Sequence, residues 1–213
     1  MNAYFISGLG ADHRAFKKIK LPDRYKMKYI QWIAPLENES FINYCIRLSK
    51  QIDTHEPFIL VGLSFGGIVA TELTKLFHPV KSIIISSIPV STQLPWYYKA
   101  IGLLNIDKLI PAAFLKLKTP LTFHLFGIQT KEEIELMTQI LKDTDKRYLK
   151  WAIRAILSWR NKEKPVNVFH IHGTDDKILP IRYTQPDVSV KEGRHLMVLS
   201  RADAINEILG REL

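Results

Sequence analysis

Residues 58–73 read FILVGLSFGGIVATEL, and this stretch decides the fold prediction. Its four leading apolar residues are typical of a buried strand, and Gly62 to Gly66 then fit the pattern G-x-S-x-G in front of a helix-period segment. A serine on so sharp a turn takes a strained backbone conformation, and side chains two residues before and after it would collide. The two glycines therefore favour Ser64 as an exposed nucleophile over an ordinary serine in a glycine-rich turn.

Strand-like and helix-like segments alternate on both sides of this turn. Short apolar runs bounded by turn residues recur at 4–6, 27–33, 58–61, 82–86, 166–173 and 187–193. Helix-period stretches lie between and after them, with apolar positions at Ile42, Cys45, Ile46 and Ile52 behind Ser40, at Ile68, Leu73 and Leu76, and within 202–209. This alternation predicts an α/β fold, a mostly parallel sheet of about six strands with helices on both faces.

The pattern changes at 89–165, where no strand-like run occurs. Thr130 and Glu133 have the spacing of a capping box, the start of a helix. Two helical stripes follow, at Ile134, Met137, Ile140 and Leu141 and then at Leu149, Ile153, Ile156 and Leu157. We therefore expect one domain, with a core formed by 1–88 and 166–213 and a helical insertion at 89–165.

The composition is that of an ordinary soluble globular protein. Of 213 residues, 46% are hydrophobic and 24% are charged, which argues against disorder and membrane spans. The single cysteine, Cys45, has no partner for an internal disulfide and is expected to be a small buried residue. The first residues lack the basic and apolar regions of a signal peptide, so we expect a cytoplasmic protein.

A net charge of +9 would suit a nucleic-acid or anionic-surface partner. The lysines and arginines are nevertheless scattered along the chain, which indicates a solvated basic face. We therefore expect a small-molecule substrate, with no nucleic-acid or membrane partner, and the oligomeric state is left open.

A serine hydroxyl is a weak nucleophile, so Ser64 needs a base and an orienting acid elsewhere in the chain. His195 follows a late strand and a glycine, where a loop at the carboxyl edge of the sheet would present it. His170 and His172 face the same side of a strand and could share a metal, but no further cluster of ligands completes such a site. We therefore expect His195 as the base, and neither a metal nor a cofactor.

The acid is expected just past a strand end, in the segment IHGTDDKILP. Either Asp175 or Asp176 could accept a hydrogen bond from His195, holding its tautomer and stabilising the imidazolium during turnover. The other aspartate would then be a turn residue. The chain order is therefore Ser64, aspartate, His195.

These motifs together resemble the α/β-hydrolase superfamily over nearly the whole chain. GLSFGG is similar to its nucleophile elbow, EGRHL to its G-x-H ending and SGLGADHRAF to its H-G-x-G oxyanion loop. HGTDDKILP resembles the family's H-G-x-x-D-x-x-x-P segment, which implies Asp176 as the acid. The resemblance also implies an oxyanion hole formed by the backbone N–H groups of Leu9 and Phe65, and an insertion that covers the site as a lid.

The sequence departs from the family at two places. The two leading strands are missing, so the first strand here corresponds to the family's third, and the sheet edge on that side needs a cover or a partner. Ser7 also stands where the family's loop has histidine. The backbone donor of the loop can survive this change, whereas its supporting hydrogen bonds need another source.

The turn Gly8-Leu9-Gly10 could serve a dinucleotide phosphate or a transient oxyanion. A dinucleotide fingerprint needs a third glycine, where this chain has His13, and an acidic residue at the end of the second strand. That strand ends instead in the run Trp32-Ile33-Ala34-Pro35. The turn is therefore assigned to an oxyanion.

The predicted reaction is hydrolysis of a carboxylic ester or thioester with a hydrophobic part, through an acyl-enzyme on Ser64. Aromatic residues of the insertion are candidate pocket walls: Trp96, Tyr97, Tyr98, Phe114, Phe123 and Phe126. The same three side chains also serve amide or C–C bond hydrolysis, acyltransfer and peroxidation on this fold, and a non-catalytic small-molecule binding protein is a further alternative. Ser64 argues against haloalkane and epoxide chemistry, for which the resembled enzymes use an aspartate nucleophile.

Overall fold

The computed structural model describes residues 1–106, 116 and 118–213. In this part of the chain one sheet of six strands has the order β2-β1-β3-β4-β5-β6, and every neighbouring pair is parallel. The strands are β1 (Asn2–Ile6), β2 (Lys26–Tyr29), β3 (Phe58–Leu63), β4 (Lys81–Ile85), β5 (Val168–Gly173) and β6 (Val188–Val190). The predicted α/β fold with a parallel sheet is confirmed.

The helices in the described part of the chain are α1 (Phe41–Leu48), α2 (Phe65–Phe77), α3 (Trp96–Leu103), α4 (Pro120–Phe126), α5 (Lys131–Asp143), α6 (Lys146–Ser158), α7 (Met197–Ser200) and α8 (Ala202–Glu212), with single 3-10 turns at His13–Phe16, Ser49–Gln51, Ser91–Gln93 and Ile181–Tyr183. Four of these helices begin at a residue whose side chain caps them, namely α1, α4, α5 and α6. The Ser40 side chain caps α1, and Thr130 forms with Glu133 the capping box predicted for α5. None of the described helices is long and apolar enough to cross a membrane.

Alternation of side chains along each strand supplies two apolar cores, one on each face of the sheet. On β1, Ala3 and Phe5 belong to a cluster with α7 and α8, whereas Tyr4 and Ile6 belong to a cluster with α1 and α2. Helices therefore cover both faces, as predicted.

Strand β2 is shorter than the sequence pattern indicated. The apolar run at 27–33 predicted one strand, but the parallel pairing stops at Tyr29, opposite Phe5. The Ile30 N–H still donates to the Phe5 carbonyl over 2.9 Å, but β1 then reaches its last residue, Ile6, and turns into the glycine loop. Residues 31–33 therefore have no strand to pair with in the described part of the chain. β2 is one edge of the sheet, and Lys26 and Lys28 on this edge disfavour pairing with another chain.

Three helical stripes are only partly as predicted, and in α5 the predicted stripe residue Ile134 is 36% exposed. In α1, Cys45 is buried, but Ile42 and Ile46 are 38% and 44% exposed. The helix turns Tyr44, Cys45 and Leu48 toward the sheet instead, which leaves the other two on the solvent side. In α2, Leu76 is likewise exposed at the outer end of the helix.

The segment between β4 and β5 carries α3 to α6, and its described residues contain no strand. Helix α6 packs against both α3 and α2, so the insertion lies on the same side of the molecule as the helix that follows Ser64. This position matters because α2 begins at the candidate nucleophile.

Candidate active site

Ser64 lies on a strained turn between β3 and α2. Its φ of 52° and ψ of −119° are rarely adopted by a residue with a side chain. A Cβ atom added at Gly62 would lie 2.4 Å from the Gly66 carbonyl oxygen, and one added at Gly66 would lie 2.1 Å from the Ile6 carbonyl oxygen. Both positions therefore require glycine, because a side chain there would collide with the backbone, as the sequence pattern predicted.

Two hydrogen bonds hold this turn in place. The Ser64 N–H donates to the Ile85 carbonyl over 2.9 Å. The Ser87 hydroxyl donates to the Ser64 carbonyl over 2.7 Å. The end of β4 thus compensates for part of the strain at Ser64.

The structure brings Ser64, His195 and Asp176 into one chain of hydrogen bonds. His195 Nε2 lies 2.9 Å from Ser64 Oγ, and His195 Nδ1 lies 2.8 Å from Asp176 Oδ2. His195 and Asp176 are each 2% exposed. Asp175 points elsewhere and accepts from the Thr174 hydroxyl, so of the two candidate acids only Asp176 reaches His195.

The hydrogen bonds define the proton positions. Because a carboxylate only accepts, His195 carries its hydrogen on Nδ1, and its free Nε2 accepts the Ser64 hydroxyl hydrogen. Burial opposes ionisation of Asp176, but the neighbouring His195 and the N–H of Leu179 outweigh it and lower the pKa of the carboxyl group below its ordinary value. The His195 ring is thus held by a charged carboxylate.

The turn that follows Asp176, here called the acid turn, contains Ile178 and Leu179, and hydrogen bonds hold both their N–H groups and their carbonyl groups. Asp176 Oδ1 accepts from the N–H groups of Ile178 and Leu179, over 2.9 and 2.8 Å. The carbonyl of Ile178 accepts from the Tyr98 hydroxyl of α3 over 3.2 Å, and that of Leu179 accepts from His172 Nε2 over 2.7 Å. Burial raises the pKa of Tyr98 to about 12, so its hydroxyl keeps its proton.

His170 and His172 support this acid turn. Because His172 Nε2 donates to a carbonyl, its Nδ1 must accept, and it does so from His170 Nε2 over 3.0 Å. Burial lowers the pKa of His170 to about 3 and also lowers the pKa of His172. Both rings are therefore neutral donors. No group of three His, Cys, Asp or Glu side chains in the described ranges could hold a metal ion.

Leu9 and Phe65 both line the cavity into which Ser64 and His195 open. Phe65 is the first residue of α2, so its N–H has no partner within the helix. Over the described parts of the chain, the backbone N–H groups of Leu9 and Phe65 donate no hydrogen bond. A Cβ atom added at Gly8 would lie 3.3 Å from Ser64 Cβ, so the glycine loop passes directly beside the serine.

Ser7 supplies a supporting hydrogen bond to this loop. Its hydroxyl donates to the Ala11 carbonyl over 2.6 Å, and the same carbonyl accepts from Trp32 Nε1 over 3.0 Å. From the opposite side, the Thr144 hydroxyl lies 2.6 Å from the Gly10 carbonyl oxygen. The sequence did not reveal the contacts of Trp32 and Thr144, because they join segments that are distant along the chain.

An apolar cavity of about 290 Å³ lies above Ser64, where the two cores meet. The predicted aromatic walls are partly right: Tyr98 and Phe126 line the cavity, whereas Trp96, Tyr97 and Phe123 do not. Phe114 lies outside the described residues. Most of the wall is aliphatic, and the insertion contributes Ile101, Leu136, Met137, Ile140, Ile153, Ile156 and Leu157. The sequence signal for Met137, Ile140, Ile153, Ile156 and Leu157 was the apolar helical stripe, which also fits an ordinary core, whereas Ile101 and Leu136 belonged to neither predicted stripe.

Comparison with known proteins shows the family to which this chain belongs. Residues 30–208 match the model of the alpha/beta hydrolase family. A search of curated proteins found no match.

Several solved structures share the fold. An esterase from Exiguobacterium antarcticum is 18% identical with a TM-score of 0.75, covering 98% of this chain and 90% of that one. MenH from S. aureus is 17% identical with a TM-score of 0.72, covering 98% and 91%. A bromoperoxidase from Bacillus anthracis is 15% identical with a TM-score of 0.68, covering 98% and 90%. At these identities the likeness shows a common fold.

Proposed function

Because this chain belongs to the alpha/beta hydrolase family, we propose that it is a serine hydrolase that cleaves a carboxylic ester or thioester through an acyl-enzyme. The observation that carries the proposal is the continuous hydrogen-bonded chain from Ser64 Oγ through His195 to Asp176. A nucleophile, a base and an orienting acid in this geometry are what acyl transfer needs.

In the first half of the reaction, Ser64 Oγ attacks the substrate carbonyl carbon while His195 Nε2 takes the hydroxyl proton. The carbonyl oxygen becomes an oxyanion, and Asp176 stabilises the imidazolium. As the tetrahedral intermediate collapses, the bond to the leaving oxygen or sulfur breaks and His195 returns the proton to that atom. The alcohol or thiol departs, and the acyl group remains on Ser64.

In the second half, water replaces the leaving group. His195 Nε2 takes a proton from the water as its oxygen attacks the acyl carbon, and the intermediate then expels Ser64 Oγ, which recovers its proton from His195. The products are a carboxylic acid and the free enzyme.

The N–H groups of Leu9 and Phe65 are the proposed oxyanion donors. Both belong to residues that line the cavity, and both lack a partner in the structure described above. The start of α2 adds a favourable helix dipole for negative charge at Phe65. Donors of this kind are worth roughly 3 kcal/mol each in the transition state.

The cavity supports a substrate that is apolar on either side of the scissile bond. Apart from Ser64, His195 and the Tyr98 hydroxyl, which is already bonded to Ile178, the described side chains that line it are apolar. A carboxylate or ammonium group placed there would lose its hydration without a charged partner. The volume is small for a ligand site, so we propose a short to medium acyl chain.

The insertion is the proposed lid over this cavity. It contributes walls from α3, α5 and α6. That the protein acts in the cytoplasm, without a nucleic-acid or membrane partner, stays a prediction.

An active-site phosphonate tests the proposal. We expect a fluorophosphonate to label Ser64 in the wild-type protein, as located by mass spectrometry, and we expect Ser64→Ala to take no label. His195→Ala should label much more slowly, because the base is absent. Absence of an adduct on Ser64, or equal labelling rates for the wild type and His195→Ala, would contradict the proposal.

A substrate panel separates ester hydrolysis from the alternatives. p-Nitrophenyl esters and the matching anilides are offered to the wild type, with and without an acceptor alcohol, and bromination is measured with peroxide and bromide. Ester turnover that exceeds anilide turnover, with free acid as the main product, supports the proposed function. Faster anilide cleavage, ester formation or bromination would replace it with amidase, acyltransferase or peroxidase activity.

A further inference from the structure

Trp32 contacts both halves of the proposed oxyanion site. We propose that it is a positioning residue that sets the Leu9 N–H against the Phe65 N–H. The proposal rests on the acyl-transfer function argued above, because it assigns Trp32 a role in forming the oxyanion site. Trp32 follows the edge strand β2 and does not line the cavity, so it acts through its neighbours.

The first contact is with the loop that carries Leu9. The Ala11 N–H donates to the Gly8 carbonyl over 3.0 Å, which closes a turn with Leu9 and Gly10 at its centre. Gly10 has a φ of 70°, as the third residue of a type II turn requires. Trp32 Nε1 donates to the carbonyl of Ala11, the last residue of this turn, over 3.0 Å. The indole thus holds the turn at its far end.

The second contact is with the residue that carries the other donor. The rings of Trp32 and Phe65 stack with centroids 5.5 Å apart and planes 23° apart. The Phe65 side chain is 1% exposed, and its own N–H is the first of α2. A shift of the indole would therefore move the Leu9 loop relative to the start of α2.

Trp32 is itself held on several sides. Its ring packs against Tyr148 of α6, with centroids 5.4 Å apart. The neighbouring Ile33 donates its N–H to the Tyr44 hydroxyl, and that hydroxyl donates to the Ile33 carbonyl over 2.9 Å. A group that positions a catalytic donor needs this kind of packed support.

The indole N–H distinguishes positioning from packing. Phenylalanine at position 32 would still stack on Phe65, but it has no donor for the Ala11 carbonyl. Among the residues that the structure describes, Ser7 would then be the remaining side-chain donor to that oxygen. We expect Trp32→Phe to lower kcat about 5-fold with KM unchanged, the effect of one neutral hydrogen bond felt in the transition state.

Ser7 offers an independent check, because it shares the acceptor with Trp32. Ser7→Ala should lower kcat by a similar factor. The double variant should lower kcat by more than the product of the two single effects, because the Ala11 carbonyl then has no side-chain donor and the turn is released. Trp151→Phe is the matched control, since the Trp151 ring also packs against Phe65, with centroids 6.5 Å apart, whereas its Nε1 donates to the Glu39 carbonyl and not to this loop.

Two inhibitors provide the decisive readout. An aryl trifluoromethyl ketone forms a tetrahedral adduct on serine and needs the oxyanion donors, whereas hexan-1-ol only fills the apolar cavity. With p-nitrophenyl butyrate as substrate, Trp32→Phe should raise the Ki of the ketone by the factor by which kcat falls, and leave the Ki of hexan-1-ol unchanged. Trp151→Phe should change neither value.

Each outcome decides the matter. The positioning role is overturned if Trp32→Phe keeps the wild-type kcat and the wild-type Ki of the ketone. It is also overturned if the Ki of the ketone and the Ki of hexan-1-ol rise by the same factor. If Trp32→Phe unfolds, benzothienylalanine at position 32 keeps the ring shape without the N–H and takes its place in the same test. A wild-type protein that takes no phosphonate on Ser64 overturns the proposed function and this inference with it, whereas normal labelling with an unchanged Trp32→Phe overturns the inference alone.

Discussion

Asp176 Oδ2 lies 2.8 Å from His195 Nδ1, while the adjacent Asp175 makes no contact with that ring. Of these two neighbouring carboxylates, only Asp176 forms a hydrogen bond with His195. The difference gives a matched pair of variants, because each removes one negative charge at almost the same place in the chain.

Asp176→Asn should lower kcat on the order of 10³- to 10⁴-fold, because the amide N–H₂ favours the wrong His195 tautomer. Asp175→Asn should leave kcat within about 2-fold, since a solvent-side turn residue contributes little. Steady-state hydrolysis of p-nitrophenyl butyrate measures both. Similar losses in the two variants would remove Asp176 from its proposed role.

Gly66→Ala should destabilise the protein by at least about 3 kcal/mol, because the new Cβ would lie 2.1 Å from the Ile6 carbonyl oxygen and 2.3 Å from that of Ser7. Gly210→Ala, in α8, meets nothing within 4 Å and should stabilise the protein by about 0.5–1 kcal/mol. Urea unfolding of both variants gives the two free energies. A Gly66→Ala variant as stable as wild type would show that the turn has room for a side chain.

The buried histidine pair predicts a loss of stability in mild acid. His170 has a folded-state pKa of about 3, whereas histidine in an unfolded chain has a pKa of about 6.5. The unfolded state therefore binds more protons between these values, so the free energy of unfolding is highest above pH 6.5 and falls as the pH decreases toward 3.

From pH 7 to pH 5 we expect His170 to account for a loss of about 2 kcal/mol. His170→Gln should be less stable at pH 7 but should show a flatter decline, and His55→Gln, at an exposed position, should keep the wild-type slope. Urea unfolding at several pH values measures the slopes. A wild-type slope in His170→Gln would assign the acid sensitivity to other groups.

Filling the cavity should select against long acyl chains. Ile156 of α6 lines the cavity, so Ile156→Trp should lower kcat/KM for p-nitrophenyl octanoate at least about 10-fold more than for the acetate. Ile134→Trp is the control, because Ile134 is 36% exposed on α5 and does not line the cavity. Equal effects on both esters in Ile156→Trp would mean that the acyl chain lies elsewhere.

The parts of the site that the sequence predicted are those governed by local rules. The requirement for glycine at positions 62 and 66 follows from the geometry of a turn only a few residues long, and the structure shows the same close contacts. The parallel sheet followed from the alternation of strand and helix patterns. The choice of Asp176 over Asp175 came from the resemblance to the α/β-hydrolase family, because local chemistry allowed both.

The failed predictions concern which side chains of a helix face the protein core and how far a strand extends. The stripe of α1 included Ile42 and Ile46, yet both are exposed. Periodicity locates a stripe on a short helix only to within one neighbouring residue, and packing against the sheet decides the rest. The predicted length of β2 was too great because a strand can pair only as far as the neighbouring strand, here β1, extends.

The order of the motifs along the chain was enough to predict the fold, and together with the resemblance to the α/β-hydrolase family it also predicted a site formed by Ser64, Asp176 and His195. Only the tertiary structure revealed how that site is supported: Ser7 and Trp32 on the Ala11 carbonyl, and Tyr98 and His172 on the acid turn. The physical reason is that these hydrogen bonds join side chains to backbone carbonyls of other segments. Such contacts have no periodicity along the sequence and arise only when the folded chain brings the segments together.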